Sequence, residues 1–431
     1  MKKVSKFQRD NYLKIDLEKC IGCKSCVMVC KNQGIERLKV DDDGKKKVSE
    51  NDSNPCVFCG QCITHCPVNA ITTNPRFFNQ VKENLDNSDY INVAQVAPAI
   101  RASIGEEFDL DYGEVSAGKL VSGLKKAGFD YVFDTCFGAD VTTIEEAKEL
   151  IRRLKSGDDL PMFTSCCPSW VRYLGSYKKD LLHYLTSVHS PQMILARIVK
   201  TLWASKMHIP IEKIRMVSIM PCVAKKWESE RRDYRINGHW PVDQVITTVE
   251  TANLFKEKEI DFKKLKEENF DNPFGEASGG GYIYGASGGV MLSALRTAYY
   301  YLTGHNLKEF GLNILSGQDE LKEFEVKIEG RNLRAAVVNG LGNFSKVSGN
   351  LDNYDYIEVM ACPGGCIGGG GQPKPVNDEI RNKRAEVLIG LDTNSKTRFA
   401  HENPMVRRLY DEFLVNEKIR REITHFHRLQ G

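Results

Sequence analysis

The chain lacks any apolar run of about 18 residues, so it offers no candidate for a membrane-spanning helix. It also lacks an apolar stretch behind Met1-Lys2-Lys3. The segment Phe7-Gln8-Arg9-Asp10-Asn11-Tyr12-Leu13-Lys14 is too polar for a signal peptide, and a cytoplasmic location is expected. Charge of one sign is not in excess. With 60 Lys and Arg against 57 Asp and Glu in 431 residues, composition makes no case for a nucleic-acid partner. No Gly-Lys-Ser/Thr closes the glycine-rich stretch Gly279–Gly289, and no G-x-G-x-x-G follows a strand-like segment, so neither common phosphate cradle is present. Those glycines are expected instead to let backbone approach a bulky cofactor. At 41% hydrophobic and 27% charged residues the composition is globular, with length for about two to four domains.

What the chain has in quantity is cysteine: 14, of which eight fall between Cys20 and Cys66 and six from Cys136 onward. Without an export signal, Cys-x-x-Cys spacing reads as metal or redox chemistry, not as a disulfide framework. Cys20-Ile-Gly-Cys23-Lys-Ser-Cys26-Val-Met-Val-Cys30 and Cys56-Val-Phe-Cys59-Gly-Gln-Cys62-Ile-Thr-His-Cys66 both follow C-x2-C-x2-C-x3-C. In that pattern three thiolates hold three corners of a [4Fe–4S] cubane and the fourth reaches across to the other cluster. Cys20, Cys23, Cys26 and Cys66 are therefore expected on one cluster, and Cys56, Cys59, Cys62 and Cys30 on the second. Pro67 follows Cys66, but Lys31 follows Cys30, a small departure. Zinc ribbons are the competing assignment; they need two Cys-x-x-Cys pairs, not runs of four at fixed offsets. Two adjacent clusters make an electron wire. Between the runs, Val40–Val48 reads as a hairpin or turn with Gly44 at its tip, its lysines facing either water or an acidic redox partner.

A domain boundary is expected between Asn74 and Asp89. Beyond it, strand-like and helix-like segments alternate, which argues α/β architecture. Tyr131–Asp134, Pro161–Thr164, Arg215–Met220, Gln244–Thr248, Leu333–Val338 and Tyr356–Met360 read as strands. Thr143–Leu154, Pro191–Trp203 and Gly289–Tyr301 read as helices. Cys166 and Cys167, Cys222 and Cys362 each follow a predicted strand. Ligands gather at the carboxyl ends of strands in open α/β sheets, so these thiols can converge on one site. Four thiolates from three loops can hold one further cubane; buried free cysteines are the plainer alternative.

The loops are Thr164-Ser-Cys166-Cys167-Pro-Ser-Trp170, Met220-Pro-Cys222-Val-Ala-Lys225-Lys-Trp-Glu228, and Glu358-Val-Met360-Ala-Cys362-Pro-Gly-Gly-Cys366 with the glycines behind it. On these loops, and on the two-cluster start, the chain resembles the [FeFe]-hydrogenases over nearly its whole length. The resemblance implies a ferredoxin-like domain (residues 1–78), a two-lobed α/β catalytic domain with the active site between the lobes (79–375), and a wrapping segment like the family's small subunit (376–431). It implies an H-cluster: a [4Fe–4S] cubane joined to a two-iron unit carrying CO, cyanide and azadithiolate. Its ligands would be Cys167, Cys222, Cys362 and Cys366, although spacing alone does not choose Cys167 over Cys166.

By the same resemblance Cys166 relays protons, continued by Glu146, Thr186, Glu149 and Arg153, with Glu228 near the path. Glu146, Glu149 and Arg153 share one face of a predicted helix, whose plainer fate is a solvated charged face. Lys225, Pro98, Gln192, Met220, Met360 and Tyr284 match positions around the two-iron unit. The implied reaction is reversible reduction of protons to H2, with ferredoxin or flavodoxin as electron partner and maturation proteins supplying the two-iron unit. Ser169, Pro363, Tyr284, Ala99 and Thr186 depart from the commonest family residues, which suggests a less usual subgroup. Cys136 is left as a packed thiol. The competing assignments are a hydrogen sensor of low turnover and a non-catalytic iron–sulfur carrier or assembly protein. The latter relatives lose parts of the second and third loops, which are intact here.

Overall fold

Residues 12–40, 47–307, 315, 317 and 319–426 are described by a computed structural model. In chain order its strands are β1 (Leu13–Ile15), β2 (Leu38–Val40), β3 (Val48–Glu50), β4 (Ile71–Thr73), β5 (Ile91–Val96), β6 (Tyr131–Asp134), β7 (Met162–Phe163), β8 (Ile214–Met220), β9 (Gln244–Thr247), β10 (Leu321–Ile328), β11 (Arg331–Asn339) and β12 (Tyr356–Met360).

The N-terminal part is ferredoxin-like. Strand β1 pairs antiparallel with β4, and β2 with β3. Each cysteine run turns through a left-handed residue, Lys24 or Gly60, straight into a short helix, Ser25–Asn32 or Gln61–Thr64. The expected hairpin is present in its arms, with Val40 opposite Val48. Its tip, with Gly44 and two of its three lysines, lies outside the described residues. The third, Lys47, donates back to Leu17 O at 2.5 Å.

The rest is α/β in two lobes. One sheet runs β6-β5-β8-β9, all parallel; the other runs β10-β11-β12-β7, parallel except for the edge strand β10. Strand alternation explains how the second sheet is buried on both faces. Ala335 and Val337 enter one core with Met162 and Tyr356; Ala336 and Val338 enter another with Phe163, Ile357 and Val359. The central strand β5 and the edge strand β10 were not among the expected strands. In β5, buried Asn92 and Gln95 interrupt the apolar run and obscure it. The helix expected at Thr143–Leu154 is longer, Thr135–Ser156, because Asp134 caps it by accepting from Cys136 N–H at 3.0 Å. The helix Pro191–Ile198 continues as a π-turn, Val199–Trp203.

The boundary region Asn74–Asp89 is not a free linker. Its helix Arg76–Leu85 buries Phe77 toward the cysteine-rich part and Phe78 and Val81 into the core of the first lobe. Closer still, a Cβ built on Gly60 would sit 2.8 Å from Gly370 Cα, so the second cysteine run meets the third loop backbone to backbone. Gly60→Ala is expected to destabilise the protein by about 1–3 kcal/mol, because it adds both a left-handed side chain and a clash. Limited proteolysis should show the N-terminal part released first; unchanged cleavage and unchanged stability would contradict the close docking.

The C-terminal residues pack against the preceding lobes and the third loop. Arg384 on the helix Asp378–Thr393 is fully buried; it binds Glu106 and donates to Ile367 O at 2.7 Å, beside Cys366. The helix expected at Met405–Val415 runs Pro404–Glu412, with Asn403 accepting from Met405 N–H at 3.0 Å.

Candidate active site

The carboxyl ends of β5, β7, β8 and β12 point to one place. Beyond them lie Ala97 and Pro98, Cys166 and Cys167, Cys222, and Cys362 with Cys366, all lining one pocket. Strands β5 and β8 belong to one sheet, β7 and β12 to the other, so the pocket sits between the lobes. Lys225, Gln192, Met220, Met360, Tyr284, Ser169 and Thr135 complete much of the lining. The arrangement follows from chain direction: parallel strands bring their ends, and the loops after them, to one side of a sheet.

The chemistry of this lining is specific. Burial, followed by the closeness of Cys222, Cys167, Cys59 and Cys366, pushes the Cys362 thiol well up. Burial, then Cys167, raises Cys222 to about 12, while Lys225 works the other way. Four thiols that would repel one another as anions surround common space. The four thiols line one pocket and so frame a volume, as a cluster needs. Two further features suit an anionic, ligand-bearing group. The buried Thr135 Oγ1 has no hydrogen-bond partner, so its O–H is free to donate into the pocket. Lys225 stays a cation: burial opposes its charge, but Glu228 outweighs burial and raises it. The residues present therefore fit an iron–sulfur cofactor of this kind.

Two smaller pockets lie among the cysteine runs. Cys30, Cys56, Cys59 and Cys62 line the first, and Cys20, Cys23, Cys26 and Cys66 the second. Each set of four mixes the two cysteine runs, in the crossed pattern expected. Cys59 is near enough to Cys222 and Cys362 to influence both, and Cys62 senses Cys26. The three thiol sets are therefore in series, ending at exposed Cys23.

On the opposite side of the main pocket is a buried acid–base network. Glu146, Glu149 and Arg153 share the inner face of the helix Thr135–Ser156, and all three are buried, not solvated. Glu149 Oε1 accepts from Arg153 at 2.6 and 3.1 Å; its Oε2 accepts from Thr186 Oγ1 at 2.9 Å and from Ser187 N–H and Oγ at 3.0 and 2.9 Å. Burial works to raise Glu149, but Arg153 and these donors prevail and hold it at about 2. Glu146 is the converse. Burial pushes it to about 8, against a hydrogen bond from Tyr356. Ser187 and Glu149 also line a surface cavity with Glu145, Arg152, Arg420 and His425. The network thus runs from beneath Cys166 to the outside. It is not one continuous hydrogen-bonded chain: among the described residues no bond joins Cys166 to Glu146 or Glu146 to Thr186.

Glu228 belongs to a separate group, where its Oε2 accepts from Lys225 Nζ at 2.7 Å and from Ser190 Oγ and Gln192 Nε2 at 3.0 Å each. Pro98, Met220, Met360 and Tyr284 stand at the pocket as expected. Ala99 and Pro363 do not line it. The glycines of 279–289 have another use than the one expected. Cβ atoms on Gly279, Gly281 and Gly289 would strike Asp392 O, Cys136 O and Ile283 O at 2.7, 2.7 and 1.8 Å. They permit chain-to-chain packing, and only Tyr284 of that stretch meets the pocket. Cys136 is fully buried, with Arg101 donating to its sulfur at 3.5 Å. Sequence reasoning missed Thr135, Ser187 and Tyr356. Ser187 follows Thr186 directly and carries a hydroxyl; the other two have no signal in the chain order.

Comparison with known proteins agrees with this architecture. The family description "Iron only hydrogenase large subunit, C-terminal domain" matches residues 90–370, "4Fe-4S dicluster domain" matches 19–70, and "Iron hydrogenase small subunit" matches 378–427. The NADP-reducing hydrogenase subunit HndD of Solidesulfovibrio fructosivorans is 40% identical over 93% of this chain and 71% of its own. A structure of the [FeFe]-hydrogenase HydA1 from Chlamydomonas reinhardtii superposes with a TM-score of 0.72 at 38% identity, over 82% of this chain and 99% of that one. The cytosolic iron–sulfur assembly component 3 of Mus musculus is 30% identical over 96% of this chain and 94% of its own.

Proposed function

The chain belongs to the iron-only hydrogenase family, and from that premise we propose that it interconverts protons, electrons and H2. The observation that carries this reading is the junction at one pocket of four ligand-type thiols, the non-ligand thiol of Cys166, and a buried acid–base network leading outward. Cys167, Cys222, Cys362 and Cys366 would hold the H-cluster, which supplies the redox-active iron at which H2 is made or split. Cys30, Cys56, Cys59 and Cys62, then Cys20, Cys23, Cys26 and Cys66, would hold two [4Fe–4S] clusters in series. An electron carrier such as ferredoxin or flavodoxin would dock near Cys23.

The residues divide the remaining work. Lys225, kept charged by Glu228, offers N–H donors to anionic ligands of the cofactor. Thr135 presents an unengaged hydroxyl to the same space. Met220, Met360 and Tyr284 exclude bulk water. Cys166 holds a proton at its sulfur. Glu146 accepts and returns protons at the inner end of the relay, its two gaps bridged through water. Glu149 stays ionised and orients the hydroxyls of Thr186 and Ser187, over which the proton leaves to the surface cavity. The hard redox chemistry is the cofactor's; the protein supplies position, proton access and tuning.

Infrared spectroscopy of anaerobically matured protein, with hydrogen evolution measured on the same sample, tests the reading. Sharp CO and cyanide bands together with turnover are expected. Bands with negligible turnover would favour a sensor. Iron and sulfide for three cubanes without those bands, under maturation that succeeds on a known hydrogenase, would replace the reading with the assembly role that the 30% relative suggests.

A further inference from the structure

Tyr356 opens β12, six residues before Cys362, and its ring is fully buried in the core beneath the helix Thr135–Ser156. Its phenol donates to Glu146 Oε1 at 2.8 Å. The other carboxyl oxygen, Oε2, is buried and has no hydrogen-bond partner. The titratable and charged groups facing this carboxyl are Cys166, Tyr284, Tyr356, Glu149, Glu358 and Arg153. Most are engaged elsewhere. Tyr284 OH pairs with Thr143 Oγ1 at 2.8 Å. Glu358 accepts from Gly288 and Met291 N–H at 2.6 and 2.8 Å. Glu149 and Arg153 bind each other. The Cys166 sulfur is the neighbour that no hydrogen bond occupies among the described residues.

Taking Glu146 as the inner carboxyl of the relay proposed above, we infer that Tyr356 is a positioning residue: it reserves Oε1 and so makes Oε2 the oxygen that takes up and gives away the proton. A carboxyl has two oxygens, and an unrestrained one can carry its proton on the side facing away from its acceptor. The phenol O–H needs an acceptor in this apolar core and finds it at Oε1, which disfavours an O–H on that same oxygen. When Cys166 has given up its proton, the Oε2–H bond breaks as the S–H bond re-forms. The carboxylate left behind is the species that the phenol stabilises, so Tyr356 works against the upward push of burial on Glu146.

The test is infrared difference spectroscopy of the matured protein in the protonated-carboxyl C=O region across pH, with Glu146→Gln identifying the band and separating it from buried Glu358. In Tyr356→Phe the band is expected to move to higher frequency, since its oxygen loses a hydrogen bond. Its titration midpoint should rise by roughly one pH unit, the worth of a bond to the charged form. An unchanged frequency and midpoint would reduce Tyr356 to a packing residue and overturn the inference. If that variant does not fold, wild-type protein carrying 13C-glutamate decides. A C=O frequency showing one accepted hydrogen bond supports the inference, and a free-carbonyl frequency refutes it. The band is read whether or not the sample evolves hydrogen, so failure of the hydrogenase reading and failure of this one are distinct.

Discussion

Cys166→Ala is expected to lower hydrogen turnover by about 10²–10⁴-fold, the usual worth of a positioned proton-transfer group, while leaving the CO and cyanide infrared bands in place. The expectation comes from position. Cys166 and Cys167 both line the pocket, but their surroundings differ. Cys167 begins the helix Pro168–Tyr177 and sits among Cys222, Cys362 and Cys366, where a ligand belongs. Cys166 packs with Ala139, Tyr284, Val290 and Met360 and faces Glu146. Burial, then the Glu146 charge, pushes its thiol well up, so it is a proton holder and not a standing thiolate. Alanine removes the proton and little else: a small buried volume is lost, and no ligand. Retained turnover would remove Cys166 from the relay. Loss of the bands would mean that Cys166 holds the cofactor and that the ligand assignment is wrong. Cys166→Ser separates acidity from volume, since a hydroxyl of similar size gives up its proton far less readily; turnover should remain low.

The second large effect is on stability. Arg153→Met should destabilise the protein by about 3–5 kcal/mol, the cost of breaking a buried ion pair from one side. Arg153 is fully buried; beyond Glu149 it donates to the carbonyls of Asp159, Tyr184 and Leu185 at 2.8, 2.9 and 2.7 Å. Methionine fills much of the space but leaves those carbonyls without the Arg153 donor and removes the cation paired with Glu149 Oε1. Denaturant unfolding at neutral pH measures the loss, and a change under 1 kcal/mol would contradict it. A pH signature accompanies it. Glu149 is held at about 2 against an ordinary value of 4.5. Its contribution, about 3 kcal/mol, is complete above pH 4.5 and is lost as pH falls toward 2. Arg153→Met should remove most of that acid-side slope. Glu149→Leu in the Arg153→Met background should recover part of the loss, because the orphaned charge is gone.

Glu146 has the opposite sign. Its carboxyl is raised to about 8, so its proton is bound in the folded state through the window from 4.5 to 8. The associated stability is full below pH 4.5 and declines as pH rises through that window. Glu146→Gln should therefore flatten the fall in stability between pH 4.5 and 8 even as it slows turnover. Two carboxyls one helical turn apart, one pushed up and one held down, divide the work: the first carries a proton near neutral pH and the second orients hydroxyls.

Much of this was already legible in the chain. The two C-x2-C-x2-C-x3-C runs imply crossed cluster sites, because three closely spaced thiolates take three corners and the fourth of each run reaches across, and the structure places Cys66 with Cys20, Cys23 and Cys26, and Cys30 with Cys56, Cys59 and Cys62. Cysteines placed just after strands announced a site at the strand ends, because parallel strands carry their loops to a common edge. Other features had no local signature. Strand β5 is hidden by two buried amides whose partners, such as Ser218 and Asn84, come from elsewhere in the chain. The charged face of the helix Thr135–Ser156 looks solvated in sequence; only the covering segment 184–187 buries it and turns Glu149 and Arg153 into a paired core. Tyr356 and Glu146 are 210 positions apart, and nothing local joins them. The spacing of the two N-terminal runs marked eight thiols as candidate cluster ligands, since spacing is a property of the chain, but it left Cys166 and Cys167 equivalent. Tertiary structure decided which carboxyl carries a proton and which oxygen offers it, since burial and hydrogen-bond partners are set by distant segments.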